Sequence, residues 1–159
     1  MTRYCSLASP LGALLLARDD VGLCQLTFEG HRHPRPIQPD WQCDEHAFDD
    51  VAAELAEYFA RERQAFDIAL SLAGSAFQRS VWQALRAVPF GRTVTYAELA
   101  EAIGRPGAYH AVGAAVAMNP VSILVPCHRA VGSSGGLTGY AGGIERKVAL
   151  LRLEGAMLL

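Results

Sequence analysis

The chain has 159 residues, of which 51% are hydrophobic and 19% charged, and its formal net charge is −2. This composition is typical of globular proteins and excludes a disordered chain, while the length suits one core or two small domains. No apolar run reaches the roughly 20 residues that span a bilayer, and the first residues lack a signal-peptide pattern. We therefore expect a cytoplasmic protein with no membrane contact.

Charge is divided unevenly along the chain. Residues 1–73 carry 6 Lys and Arg against 12 Asp and Glu, a net charge of −6, whereas residues 74–159 carry 8 against 4, a net charge of +4. The negative total argues against nucleic acid as a partner. A polyanion, if one binds, would meet the second half.

The chain has four cysteines, none of them in a CxxC pair: Cys5, Cys24, Cys43 and Cys127. Their irregular spacing predicts reduced thiols. A zinc site built from Cys5, Cys24 and either His31 or His33 is one hypothesis. Packing of Cys24 in the core is the simpler one, and we expect no metal and no cofactor.

In chain order, the first elements read as a small α/β unit. Residues 12–17 and 21–28 are predicted strands of a hairpin. Prolines over residues 33–39 predict a loop, because proline cannot donate to a sheet. Apolar spacing predicts a helix over residues 44–63, and alternation over residues 66–72 predicts a further strand.

The rest of the chain is mainly helical. We therefore predict an N-terminal domain over residues 1–73 and a C-terminal domain over residues 74–159. Ser75 is a candidate cap of the first helix of that second domain. Thr95 and Glu98 fit a capping box at the start of the next.

A sharp break at residues 104–107 separates this helix from another over residues 108–118. Two short helices across a tight turn outline a helix-turn-helix. Small side chains on the second helix allow close approach to DNA or to another helix, and packing is the simpler explanation. These small residues are Ala111, Gly113, Ala114, Ala115 and Ala117. A last helix is predicted over residues 144–154.

Cys127 follows an apolar run and Pro126. A cysteine attacks as the thiolate, so a nucleophilic Cys127 needs a base, and His128 is adjacent. Neighbours in a strand point to opposite faces, so the two cooperate only if Pro126 begins a turn. Glu154 is the carboxylate best placed to orient the imidazole. From spacing alone, Cys127 is equally well a nucleophile or a core residue.

An ordered series of motifs runs through the second half of the chain. In chain order they are Phe77-Gln78, Val81-Trp82, Pro89-Phe90-Gly91, Thr95-Tyr96, Gly104-Arg105-Pro106, Asn119-Pro120, Val125-Pro126-Cys127-His128-Arg129, Thr138-Gly139-Tyr140-Ala141-Gly142-Gly143, Lys147 and Leu153-Glu154-Gly155. This set resembles that of the O6-alkylguanine-DNA alkyltransferases, which are direct-reversal DNA repair proteins. Ser9-Pro10-Leu11-Gly12 extends the resemblance weakly to the first half, so it covers nearly the whole chain.

The resemblance implies a ribonuclease-H-like α/β N-terminal domain and a mainly α C-terminal domain with a winged-helix-like helix-turn-helix. It implies irreversible, stoichiometric transfer of an alkyl group such as methyl from O6-alkylguanine in DNA to Cys127, with O4-alkylthymine as a further candidate substrate. The partner would be double-stranded DNA, bound through its minor groove with the alkylated base flipped out. The protein would act as a monomer without a cofactor.

The resemblance also implies roles for individual residues. His128 would deprotonate Cys127 through a water, with Glu154 orienting the imidazole. Asn119 would tie the recognition helix to the cysteine turn, and Tyr96 would help rotate the 3′ phosphate and protonate the leaving guanine. The residues implied to bind substrate or DNA are His110, Ala111, Gly113, Ala114, Arg129, Tyr140, Ala141 and Lys147.

Two positions depart from the family pattern, of which Ala130, where valine is commoner, is the milder and concerns packing. The recognition helix of the family usually reads Arg-Ala-Val-Gly, and its arginine fills the gap left by the flipped base. This chain has His110 there, which either plugs the gap with a shorter side chain or faces solvent.

Two other function classes fit parts of the same pattern. A non-catalytic relative would bind the lesion without repairing it. Such relatives replace the cysteine, so the intact Cys127 argues against this class. An unrelated thiol hydrolase would use Cys127, His128 and Glu154 over many turnovers.

Overall fold

The computed structural model describes residues 1–137 and 139–157, so Thr138 of the quoted motifs lies outside the described residues. The first part of the chain is a four-stranded sheet in the order β3-β2-β1-β4. Its strands are β1 (Arg3–Leu7), β2 (Leu14–Arg18), β3 (Leu23–Phe28) and β4 (Gln42–Cys43). The first three are antiparallel neighbours, and β4 runs parallel to β1.

The predicted hairpin is confirmed as β2 and β3. The Asp19 carboxylate closes its turn, because it accepts hydrogen bonds from the backbone N–H groups of Val21 and Gly22 at 2.9 and 3.1 Å. Aspartate favours such turns since its short side chain reaches the backbone two residues on.

The predicted helix is present over a shorter range. A 3-10 turn (Glu45–Phe48) leads into α1 (Asp49–Phe59), and the chain leaves the helix where Arg61 adopts a φ of 62°. Val51, Leu55 and Tyr58 form its buried face, as helical spacing requires.

The predicted strand over residues 66–72 is wrong. Within the described residues, this segment pairs with β3 only around Leu23, whose N–H donates to Ala69 O and whose carbonyl accepts from Ser71 N, both at 2.9 Å. Further along the same edge, Leu26 bonds to Pro120 O and Ser122 N, again at 2.9 Å. The edge is thus divided between two segments, so neither forms a full strand.

Within the described residues, the second part of the chain has four α-helices and a small parallel sheet of β5 and β6. Its elements are α2 (Ala76–Arg86), β5 (Val94–Thr95), α3 (Tyr96–Ala102), α4 (Tyr109–Ala117), β6 (Ala130–Val131) and α5 (Ile144–Leu153). Both predicted caps are confirmed as complete capping boxes, with Ser75 paired to Gln78 and Thr95 to Glu98.

Both parts share one hydrophobic cluster, which includes Leu26, Phe48, Trp82 and Val121. Trp82 of α2 is 1% exposed, and its indole N–H donates to Ala115 O of α4 at 2.9 Å. The chain therefore folds around a continuous core, and a domain boundary after residue 73 stays a prediction. None of the helices in the described residues is long and apolar enough to cross a membrane.

Candidate functional site

Cys127 lies in a tight turn that begins at Pro126, which meets the condition for Cys127 and His128 to cooperate. The Cys127 N–H donates to Val125 O at 2.7 Å, and a 3-10 turn covers Cys127–Arg129. Because the backbone turns here, both Cys127 and His128 point inward, and they are 5% and 0% exposed. A strand would have sent them to opposite faces.

Asn119 ties the end of α4 to this turn. Its amide nitrogen donates to Val125 O at 2.9 Å, and its amide oxygen accepts from Val121 N at 3.0 Å. Between these two anchors, Ile123 adopts a φ of 73°, which is strained for a β-branched residue. Asn119 itself is 2% exposed, so both bonds are shielded from water. The position of Cys127 is therefore coupled to α4.

Glu154 follows α5 and lies at the centre of a buried polar network. Its Oε2 lies 2.8 Å from His128 Nε2, and Arg129 donates to both oxygens, Nε to Oε1 at 2.8 Å and Nη2 to Oε2 at 2.9 Å. Burial raises the pKa of Glu154, but these hydrogen bonds outweigh it and hold the pKa at about 2. Glu154 is therefore a carboxylate at neutral pH.

His128 is oriented by that carboxylate. Because Glu154 accepts, Nε2 carries the proton and Nδ1 is left as an acceptor. Burial, together with the charges of Arg129 and Lys147, lowers the pKa of His128 against the opposing effect of Glu154, so the imidazole is neutral at neutral pH. Among side-chain atoms of the described residues, Nδ1 is the buried one without a hydrogen-bond partner. His128 Nδ1 is therefore available to accept a proton inside the protein.

Arg129 was predicted to bind substrate or DNA, but the structure places it in the interior. It is 6% exposed, and besides Glu154 it donates from Nη1 to Val88 O at 2.6 Å. Its guanidinium also lies 6.0 Å from the centre of the Phe90 ring. With its donors directed inward, Arg129 holds Glu154.

The Cys127 thiol is shielded from water and lies 3.8 Å from the Tyr140 hydroxyl. Burial raises the pKa of the thiol, while hydrogen bonds from Asn119 and Tyr140 and the charge of Lys147 act in the opposite direction. Lys147 of α5 is buried and donates to Ala130 O at 2.6 Å, and burial lowers its pKa to about 8. The resting site thus holds a protonated thiol that needs a base.

A cavity of about 170 Å³ opens onto Cys127. Pockets for drug-sized ligands measure roughly 300–1,000 Å³, so this cavity suits a smaller group. Predicted site residues in its wall are Tyr96, Gly113, Asn119, Cys127, Tyr140 and Ala141. The structure therefore brings these six together.

The first part of the chain also lines this cavity, through His31, Arg32 and His33. The Arg32 N–H donates to Ala141 O at 2.8 Å and so joins the two parts at the cavity mouth. The sequence analysis considered the two histidines only for zinc. Among the described residues no cluster of His, Cys, Asp and Glu is suited to hold a metal ion, so that hypothesis gains no support.

Helix α4 presents a surface of small side chains. His110, Ala111 and Ala114 are exposed and Gly113 is half-buried, whereas Val112, Ala115 and Val116 pack inward. Packing therefore explains Ala115, whereas the exposed Ala111 and Ala114 are accessible to another molecule. The Tyr109 and His110 rings lie 4.5 Å apart at the exposed start of the helix.

Two family models match the chain. The ribonuclease-like domain of 6-O-methylguanine DNA methyltransferase matches residues 2–72, and the DNA binding domain of the same protein matches residues 76–156. The chain belongs to the 6-O-methylguanine DNA methyltransferase family. It therefore has the family's two-domain fold, a ribonuclease-like domain followed by a DNA-binding domain.

Individual members of this family are closely similar to the chain. The methylated-DNA--protein-cysteine methyltransferase of Mycolicibacterium paratuberculosis is 47% identical over 97% of this chain and 93% of its own length. That of Methanosarcina acetivorans is 44% identical, covering 96% and 98%. Among solved structures, Mycobacterium tuberculosis OGT in complex with DNA is 46% identical with a TM-score of 0.92, covering 96% and 92%.

Proposed function

We propose that the protein repairs DNA by moving an alkyl group, such as methyl, from the O6 atom of alkylated guanine to Cys127. The observation that carries this proposal is the buried Cys127 thiol at a base-sized cavity, beside a neutral His128 held by Glu154. The relatives of this chain are named methylated-DNA--protein-cysteine methyltransferases, a name that describes methyl transfer from DNA to a protein cysteine.

The reaction is a single displacement. As His128 Nδ1 takes the thiol proton through a bridging water, the sulfur attacks the alkyl carbon, and a carbon–sulfur bond forms while the carbon–oxygen bond to O6 breaks. The guanine keeps the electron pair of that bond and receives a proton, which we assign to the Tyr96 hydroxyl. The thioether product has no ready leaving group, so each protein molecule reacts once.

Other residues shape the site around these reacting groups. We assign Tyr140 and the backbone at Ala141 to the walls that receive the base, because both line the cavity. Lys147 supports the Cys127 turn through Ala130, and Asn119 links that turn to α4. Arg129 holds Glu154 and is not assigned to DNA.

We infer that the DNA is a duplex approached from its minor groove, with the damaged nucleotide rotated into the cavity. A stacked base hides O6 from a buried thiol, so flipping is required at a cost of a few kcal/mol. The exposed residues of α4, His110, Ala111 and Ala114, with Gly113 beside them, allow close approach to a groove. In this arrangement α3 and α4 act as the helix-turn-helix, and the protein works as a monomer.

The experiment that tests the function is mass spectrometry after mixing protein with excess O6-methylguanine duplex. One methyl group should appear on the peptide that carries Cys127, and no more. Tight duplex binding without a mass change would instead identify a non-catalytic lesion binder. Product released over many turnovers from an unmodified protein would identify a hydrolase.

His110→Arg is expected to tighten duplex binding and to speed repair about three- to tenfold. Arginine adds a longer, permanently charged side chain at the exposed start of α4, where it reaches both a stacked base and the phosphates. Single-turnover methyl transfer and duplex affinity measure the change. Gln83→Arg adds the same charge to the exposed surface of α2 and serves as the control. Equal rates for His110→Arg and the unchanged protein would refute the prediction.

A further inference from the structure

We propose that Tyr58, in the ribonuclease-like domain, is a positioning residue for alkyl transfer in the other domain. Its hydroxyl donates to Glu154 Oε2 at 2.5 Å across 96 positions of sequence. It acts through Glu154 on His128. This inference deepens the proposed function and rests on it.

The position of Tyr58 is fixed by its surroundings. It lies in the last turn of α1 and is fully buried, and three other rings pack around it at centroid distances of 5.4 to 6.1 Å. These rings belong to Phe59, Phe66 and Phe90. A side chain held in this way loses little entropy in making its hydrogen bond, so the bond restrains Glu154 effectively.

Three donors converge on one oxygen of Glu154. Oε2 lies within hydrogen-bond distance of Tyr58 Oη, Arg129 Nη2 and His128 Nε2. A carboxylate oxygen offers about two lone-pair sites, so the donors compete. The Tyr58 hydroxyl therefore reduces the electron density that Glu154 offers to His128 and limits how strongly the carboxylate favours the imidazolium.

Other charged and titratable groups surround Glu154 and His128. They are Arg129 and Cys127 of the cysteine turn, Lys147 of α5 and Tyr140 of the loop that precedes α5. Burial, together with the charge of Glu154, raises the pKa of Tyr58 above its usual value, so its hydroxyl stays a donor throughout the working pH range. Removing that hydroxyl leaves the remaining charges in place.

Tyr58→Phe should slow methyl transfer about five- to tenfold near neutral pH. Without the hydroxyl, Glu154 attracts the His128 proton more strongly, so the acidic limb of the rate-pH profile should move to higher pH. At alkaline pH the rate should approach that of the unchanged protein. Duplex affinity should stay the same, because Tyr58 does not line the cavity.

The matched control is Phe59→Leu, which disturbs the same aromatic cluster without touching Glu154. Single-turnover transfer across pH 6 to 9, with urea unfolding of each variant, separates the possibilities. A Tyr58→Phe protein with an unchanged rate and profile would overturn the inference, as would equal slowing at every pH in both variants. Methyl uptake by the unchanged protein tests the proposed function separately.

Discussion

Cys127→Ser is expected to take up no methyl group while still binding O6-methylguanine duplex. The serine hydroxyl is a far weaker nucleophile than a thiolate at neutral pH, so transfer should fall at least about 10³-fold. Serine is close in size to cysteine and leaves no large cavity, although the Tyr140 hydroxyl, 3.8 Å from the sulfur position, is too distant for a normal hydrogen bond to the serine oxygen. The loss of stability should therefore stay within about 1–2 kcal/mol.

Mass spectrometry of the intact protein and a gel-shift assay together measure this result. Cys43→Ser is the matched control, because Cys43 is an exposed free thiol of the same chain. It should accept one methyl group at the normal rate. Methyl uptake by Cys127→Ser at the normal rate would place the acceptor elsewhere and would contradict the assignment of Cys127.

Glu154→Gln is expected to lower both the stability of the protein and the rate of methyl transfer. The neutral amide leaves the buried Arg129 guanidinium without its countercharge, which should lower the free energy of unfolding by about 3–5 kcal/mol. The amide also no longer fixes the His128 tautomer, so transfer should slow about 100-fold at neutral pH. Urea unfolding and single-turnover transfer measure the two effects.

The effect of Glu154→Gln on stability should depend on pH. The pKa of Glu154 is about 2 in the folded protein, against about 4.3 for an ordinary glutamate. Its stabilising contribution is thus complete above pH 4.3 and is lost as the pH falls towards 2. The difference in the free energy of unfolding between the unchanged protein and the variant should therefore become smaller as the pH falls from about 4.3 to about 2.

The control for this variant is Glu145→Gln, which removes an exposed carboxylate from the first turn of α5. It should cost at most about 1 kcal/mol, through the helix dipole. If Glu154→Gln behaves like Glu145→Gln in both assays, the buried network does not have the role assigned to it.

Local signals predicted the helices of the second domain well. The capping boxes of Ser75 and Thr95 involve partners only three residues away, so the sequence contains both halves of each contact. The turn at Pro126 is local in the same sense, because proline restricts its own backbone. These features do not depend on the tertiary fold.

Contacts between distant segments could not be predicted in this way. Tyr58 falls on the apolar face of a predicted helix, where a tyrosine is expected to be a core residue. Its hydrogen bond to Glu154 forms only because the two domains pack together. From the sequence, Arg129 was predicted to contact substrate or DNA, because its hydrogen bonds to Glu154 are visible only in the folded chain. The strand predicted over residues 66–72 failed because alternation reports burial, whereas strand formation requires a free edge.

The edge of β3 makes the ribonuclease-like domain depend on the rest of the chain. Leu23 is paired with Ala69 and Ser71, and Leu26 with Pro120 and Ser122, so the edge is protected at both places by later parts of the chain. Exposed apolar strand edges promote association between molecules. A fragment that stopped at residue 73 would leave Leu26 unpaired along an apolar strand, and it would be prone to aggregate. We therefore expect the DNA-binding domain to protect this edge of the ribonuclease-like domain from association with other molecules.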